Sequence, residues 1–155
     1  MTDKTRPPYL EVTQKAGRRF MTRGISGSVV MLNLLRFRDV ADYSAHPELA
    51  PNAPISGEEA YQRYVTHTLP HLRQAGGEIV FLGAGGHHLI GPPDERWDMA
   101  LLVRHRSVEA FMAFASNRAY LAGIGHRLAA LADSRLLPLV ESEVSAALGA
   151  VANPE

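Results

Sequence analysis

The run Val29-Val30-Met31-Leu32-Asn33-Leu34-Leu35 constrains the fold more than any other stretch of the chain. In an extended strand side chains alternate between faces, so Val30, Leu32 and Leu34 share one side. Val29, Met31, Asn33 and Leu35 share the other. Both sides are apolar, so both need burial. The exception is Asn33. A buried carboxamide costs about 1–3 kcal/mol unless its amide finds partners. Asn33 therefore either completes a structural hydrogen-bond network or faces a cavity where something polar binds.

The flanking sequence supplies the other elements. Ala16, Phe20 and Met21 recur at helical spacing from Thr13, a plausible N-cap, to about Thr22, and Gly24 and Gly27 stop that helix before a strand over 28–36. Residues 38–55 carry three prolines and no sustained period, which predicts a loop long enough to be a lid or a dimer arm. Ser56-x-x-Glu59 has the form of a capping box. It opens a helix whose stripe is Ala60, Tyr61, Tyr64, Val65, Thr68, Leu69, Leu72 and Ala75, closed by Gly76-Gly77. Pro70 should kink this helix or start its last turn.

Residues 78–82 and 88–91 read as strand, interrupted at Gly83-Ala84-Gly85-Gly86 by a bend or bulge. Trp97–His105 is a third strand. Ser107 caps a short helix bearing Val108, Phe111, Met112 and Ala115, and a second helical segment after Asn117 presents Tyr120, Leu121, Ile124, Leu128 and Leu131. Ser134–Val140 is the last strand.

The order is β-α-β-β-α-β after an N-terminal helix. A faint echo, Ser56-Gly-Glu-Glu59-Ala60-Tyr61 against Ser107-Val-Glu109-Ala110-Phe111, supports a split repeat. That is an α+β, ferredoxin-like antiparallel sheet with helices on one face. The division is an N-terminal extension and helix over 1–27, a ferredoxin-like domain over 28–143 and a flexible tail over 144–155. Since the uncovered side is apolar, two copies should close their sheets against each other as a homodimer, an α+β barrel with a cavity between. An N-terminal helix laid over the open side is the monomeric rival.

At 155 residues, with 46% hydrophobic and 21% charged residues, the chain fits one globular domain. Sixteen basic and sixteen acidic side chains cancel, which argues against nucleic acid or an anionic membrane as partner. No apolar window approaches the ~20 residues of a membrane span. The N-terminus lacks a secretory hydrophobic region, so the cytoplasm is the expected location. Cysteine is absent, which removes disulfides, thiolate catalysis and cysteine-bound metal.

Several motifs carry a family resemblance. They are Val30-Met31-Leu32-Asn33-Leu34-Leu35-Arg36-Phe37, Glu59-Ala60-Tyr61-Gln62-Arg63-Tyr64, Gly76-Gly77, Ile90-Gly91-Pro92, Arg96-Trp97-Asp98, Ala110-Phe111 and His126-Arg127, with Ala132-Asp133-Ser134-Arg135-Leu136. In this order, over about residues 28–140, they resemble the family known as domain of unknown function 1330. The resemblance implies the dimeric α+β barrel superfamily, hence a fold and a dimer, but no reaction.

Asn33 is the first chemical candidate, an amide that could orient a substrate carbonyl or enolate. His126 lies roughly opposite the buried stripe of its helix, exposed by default, and is the best general acid/base. Arg135 could hold a carboxylate or polarise an oxygen. Met31, Leu35 and Trp97 would shape an apolar pocket, and Tyr61 and Tyr64 would bring phenol tips to its rim. Asp98 would pair with Arg36, Arg104 or Arg135, while Arg127 sits at the margin of the buried stripe. His67 and His71 have i, i+4 spacing, but Pro70 disturbs that face, so no metal and no other cofactor is expected. The reading that follows is a cofactor-independent enzyme of monooxygenase, cyclase or isomerase type, acting on a small apolar carbonyl compound. Its alternative is a non-catalytic ligand-binding or structural dimer module.

Overall fold

A computed structural model describes residues 7–143 and Leu148. The elements are α1 (Gln14–Met21), β1 (Val29–Phe37), a 3-10 turn (Pro47–Leu49), α2 (Gly57–Gln74), β2 (Glu78–His87), β3 (Arg96–His105), α3 (Val108–Ala115), α4 (Arg118–Leu121), α5 (Ile124–Ala130) and β4 (Leu131–Leu139). The four strands form one sheet in the order β2-β3-β1-β4, and each neighbouring pair is antiparallel. This is the ferredoxin-like α+β arrangement that the order of elements predicts.

The helix starts follow from local chemistry. The Ser56 hydroxyl accepts the Glu59 N–H at 3.0 Å, and the Ser107 hydroxyl accepts that of Ala110 at 3.0 Å. The two halves of the sequence echo are thus two N-caps. Gly57 marks a crossing of three backbones. Its N–H donates to the Arg38 carbonyl, and the Arg38 N–H donates to that of Ala130. A Cβ at residue 57 would stand 2.3 Å from the Arg38 oxygen and 2.6 Å from the Ala130 oxygen. Only glycine lets α2 begin this close to the ends of β1 and α5.

Register sorts the sheet into two faces. Leu35 packs with Ala60, Tyr61, Leu101, Ala129, Ala130 and Leu131, so the odd-numbered side of β1 faces the helices. A second cluster, Leu72, Phe114 and Tyr120, continues that layer. Phe20 of α1 meets the Phe111 ring of α3 edge-on at 5.8 Å. The N-terminal helix therefore joins the helical layer and does not cover the open side.

Other expectations are corrected. Strand β2 runs unbroken through the glycine segment, and its irregularity falls earlier, between Ile79 and Phe81. Residues 88–91 form no strand. Gly85 must stay bare because a Cβ there would lie 2.3 Å from the Trp97 carbonyl oxygen, so the glycine serves close strand approach rather than a bend. The second helical segment divides into α4 and α5, and Leu131 opens β4 instead of ending a helix. A buried leucine satisfies either period, so patterning could not choose. Helix α2 continues through Pro70 to Gln74, so the proline stands at the start of its last turn, one of the two outcomes expected for it.

The loop over 38–55 is packed against its own chain. The Ala41 N–H donates to the Ile55 carbonyl, that of Asp42 donates to Ala129, and Tyr43 is buried in the core. Tyr9 and Leu10, in the N-terminal extension, are fixed too. The Tyr9 N–H donates to Asp133, the Ser134 hydroxyl donates to the Tyr9 carbonyl, and Arg127 donates to the Leu10 carbonyl. The predicted tail over 144–155 lies, apart from Leu148, outside the described residues.

Candidate functional site

The open face of the sheet is built from three rows of facing residues. Across its middle run Phe81, Leu102, Leu32 and Leu137, one from each strand. One row away stand Glu78, Arg104, Val30 and Leu139, and on the other side Gly83, Ala100, Leu34 and Arg135. None of the apolar members of these rows belongs to the clusters under the helices. Phe81 is 54% exposed and Leu137 53%. Beyond this face, the connection between β2 and β3 presents Leu89 and Ile90 at 101% and 93% exposure.

Charges sit at two diagonal corners, and both corners are satisfied internally. At one, Arg104 reaches Glu78 at 3.1 Å and Glu141 at 3.0 Å. At the other, Asp133 binds Arg135 at 2.9 Å and Arg36 at 3.7 Å. Burial alone would raise the Asp133 pKa, but the N–H groups of Tyr9 and Ser134 and the Arg135 guanidinium outweigh it and hold it below the usual carboxylate range. The Arg135 guanidinium also lies between two rings, 4.9 Å from Tyr9 and 5.0 Å from Trp97, while Arg36 lies 5.9 Å from Trp97.

The candidate residues fall into separate groups. Asn33 shares its face with Leu35, so it looks toward the helical layer and not into a cleft between sheets. Its amide donates to the Met31 carbonyl at 3.3 Å. In β4 the residue opposite Asn33 is Leu136, so Arg135 points to the other face. Asn33 and Arg135 therefore cannot act on one oxygen. Met31 and Leu35 are buried on the Asn33 side.

His126 is not free. Its Nδ1 lies 2.8 Å from the Tyr43 hydroxyl, and burial, then Arg63 and His67, lower its pKa. The imidazole is thus largely neutral near pH 7, and it shares a hydrogen bond with the Tyr43 hydroxyl. The Tyr61 and Tyr64 rings meet at a tilt, 5.3 Å between centroids, and the Tyr64 hydroxyl lies 2.8 Å from that of Tyr120. Burial pushes the Tyr61 and Tyr120 pKa values far up, which fixes both as neutral phenols. Arg127 bridges Leu10 and Ser134.

Trp97 and Asp98 stand at an irregular strand start. Regular pairing of β1 with β3 reaches only as far as Leu35 and Met99, and the Asp98 carboxylate takes the Phe37 N–H at 2.8 Å. Its charged partner is Arg96, at 3.2 Å, rather than Arg36, Arg104 or Arg135. A cavity of about 330 Å³ opens beside it, lined by Phe37, Arg38, Ser56, Arg96, Asp98 and Met99 among others. Of the histidine pair on α2, His67 is engaged, its Nε2 donating to the Ala119 carbonyl at 2.8 Å.

Sequence reasoning missed Tyr9, Tyr43 and His105. His105 is 2% exposed, between Phe111 and Phe114, with Nδ1 unpartnered among the described residues. Burial lowers its pKa to about 4. Its odd number, shared with Leu101 and Val103, was the signal that could have placed it on the covered face. Tyr9 had none, because it belongs to no periodic element.

The architecture and the bare apolar face define an α+β protein of the ferredoxin-like class. Within that class the chain belongs to the same family as the RPA0582 protein of Rhodopseudomonas palustris, a protein of unknown function. The two share 32% identity over 88% of this chain and 98% of that one, with a TM-score of 0.78. The methylated form of the RPA0582 protein matches at 31% identity, over 89% and 98%, with a TM-score of 0.79. A protein of unknown function from Thermobifida fusca, described as dimeric and ferredoxin-like, matches remotely at 14% identity, over 75% and 92%, with a TM-score of 0.44. No family model and no curated protein matches the chain. No helix among the described residues is long and apolar enough to cross a membrane.

Proposed function

We propose that this chain works as a homodimeric module, two copies closing their open sheet faces into an α+β barrel, and that it is a binding or structural dimer rather than an enzyme. The observation that carries this reading is the row Phe81, Leu102, Leu32 and Leu137, apolar across all four strands and belonging to neither core cluster. A second copy is the occupant that fits. One corner sets Arg104 against two carboxylates and the other sets Asp133 against two arginines, so the charges cancel across the face, which offers no net excess of one sign to a nucleic acid or an acidic protein. Two copies of a chain with zero formal net charge meet without long-range repulsion. The exposed Leu89 and Ile90 would extend the same contact.

Membership of the domain of unknown function 1330 family, and a cytoplasmic location suited to a chain without cysteine, belong to the same reading. The enzymatic alternative, acting on a small apolar carbonyl compound, needs Asn33, His126 and Arg135 to converge. Asn33 and Arg135 lie on opposite faces and His126 is held by Tyr43, which favours the non-catalytic reading.

Sedimentation equilibrium of the full chain tests the dimer. We expect a dimer at about 10 µM, the range of a standard-sized interface. Leu32→Arg should give a monomer that keeps its far-UV circular dichroism. A wild-type chain that stays monomeric at about 100 µM would refute the proposal.

A further inference from the structure

We propose that the hollow at the Gly76-Gly77 end of the sheet binds a small metabolite through a dianionic oxyanion group, phosphoryl or dicarboxylate, held by Arg73 and Arg106. The hollow has a volume of about 560 Å³ and lies where α2 ends, β2 begins, β3 ends and β1 begins. Arg73, Arg104 and Arg106 are three of its seven lining residues, against one acid, Glu78.

The three guanidiniums are not equivalent. Arg104 is engaged by Glu78 and Glu141. Arg73 and Arg106 form no ion pair among the described residues, although both face the same concavity. Two unneutralised guanidiniums brought to one hollow repel each other, and a dianion between them relieves that repulsion while accepting paired N–H donors.

The local backbone favours this arrangement. Gly76 has φ +80, and a Cβ there would stand 2.4 Å from the Arg106 Nε and 2.7 Å from its Cζ. The Arg106 guanidinium thus lies down on bare backbone at the end of α2. The Gly76 and Gly77 N–H groups are spent on the Arg73 and Leu72 carbonyls, so recognition falls to the guanidinium forks. A hollow of about 560 Å³ exceeds what a bare ion fills and leaves room for an organic body behind the charge. The hollow shares Glu78 and Arg104 with the open face, whereas Arg73 and Arg106 lie outside the three rows of that face.

Arginines at a helix C-terminus also complement its dipole, which is the rival explanation. Isothermal titration of the full chain at low salt, with inorganic phosphate and with succinate as separate probes, distinguishes the two. We expect one probe to bind saturably, phosphate if the source is a phosphoryl group and succinate if it is a dicarboxylate. Arg73→Gln and Arg106→Gln should each weaken binding about tenfold or more, and the double variant should abolish it. Arg73→Lys, which keeps the charge and loses the fork, should fall between. Circular dichroism checks folding, and the single variants carry the test if the double variant fails to fold. Absence of saturable binding by both probes, or binding unchanged in the single variants, overturns the proposal.

Discussion

The two faces of this sheet are made from interleaved residues of the same strands and follow different rules. The covered face is closed by the chain itself, at close quarters. It needs a bare Gly57 at its rim, buries Leu35 completely and holds His105 neutral. The open face has a comparable apolar row, but Phe81 and Leu137 in it stay more than half exposed, and its charges are settled at the corners instead. Neighbours in one strand show the contrast directly. Arg104 reaches two carboxylates at the open side, while His105, one residue on, has an orphaned nitrogen among phenylalanines. Apolar patterning reports that a face wants burial and says nothing of what buries it.

The sharpest way to break this contrast is at glycine. Gly57→Ala drives a Cβ into two backbones and should destabilise the chain by more than about 4 kcal/mol in urea denaturation. Gly86→Ala, on edge strand β2 where a Cβ meets nothing within 4 Å, should change stability by less than about 1 kcal/mol. Equal costs would mean that the Gly57 crossing is not what holds α2 to the sheet.

A smaller effect follows from His105. Its folded pKa of about 4 lies below the ordinary 6.5. Between those values the unfolded chain takes up a proton that the folded chain refuses. Stability is therefore full above pH 6.5, falls as the pH drops, and levels off for this group below about pH 4. The difference approaches about 3 kcal/mol, with a lesser contribution of the same sign from His126. His105→Leu should flatten most of the slope and, by removing an unpaired buried nitrogen, leave stability at pH 7 close to wild type. An unchanged slope would assign the acid sensitivity elsewhere.

Smallest are the caps that set the helical layer over its face. Ser56→Ala and Ser107→Ala should each cost about 1 kcal/mol, without altering the state of association. A change in sedimentation with either variant would couple the helical layer to the open face.

Much of this was legible in the chain. The order of elements, both serine caps, the antiparallel sheet and the two-sided apolar strand follow from local chemistry and periodicity, because both are fixed within a few residues. Asn33 shows the limit. Alternation grouped it with Met31 and Leu35, but which of two apolar faces the helices would cover is not a property of the strand. The pairing of Asn33 with Leu136, which separates it from Arg135, is a matter of register between segments a hundred residues apart.

By itself the sequence determined an α+β chain with helices on one side and an apolar strand that both layers must hide. Only the tertiary structure decided that Asn33 turns toward the helices, that the 38–55 loop is packed in place, that Tyr9 is bound to Asp133, and that Arg73 and Arg106 line one hollow. The reason is range. Period and capping act over a few residues and can be read one segment at a time, whereas register, close backbone approach and charge convergence exist only once distant segments meet.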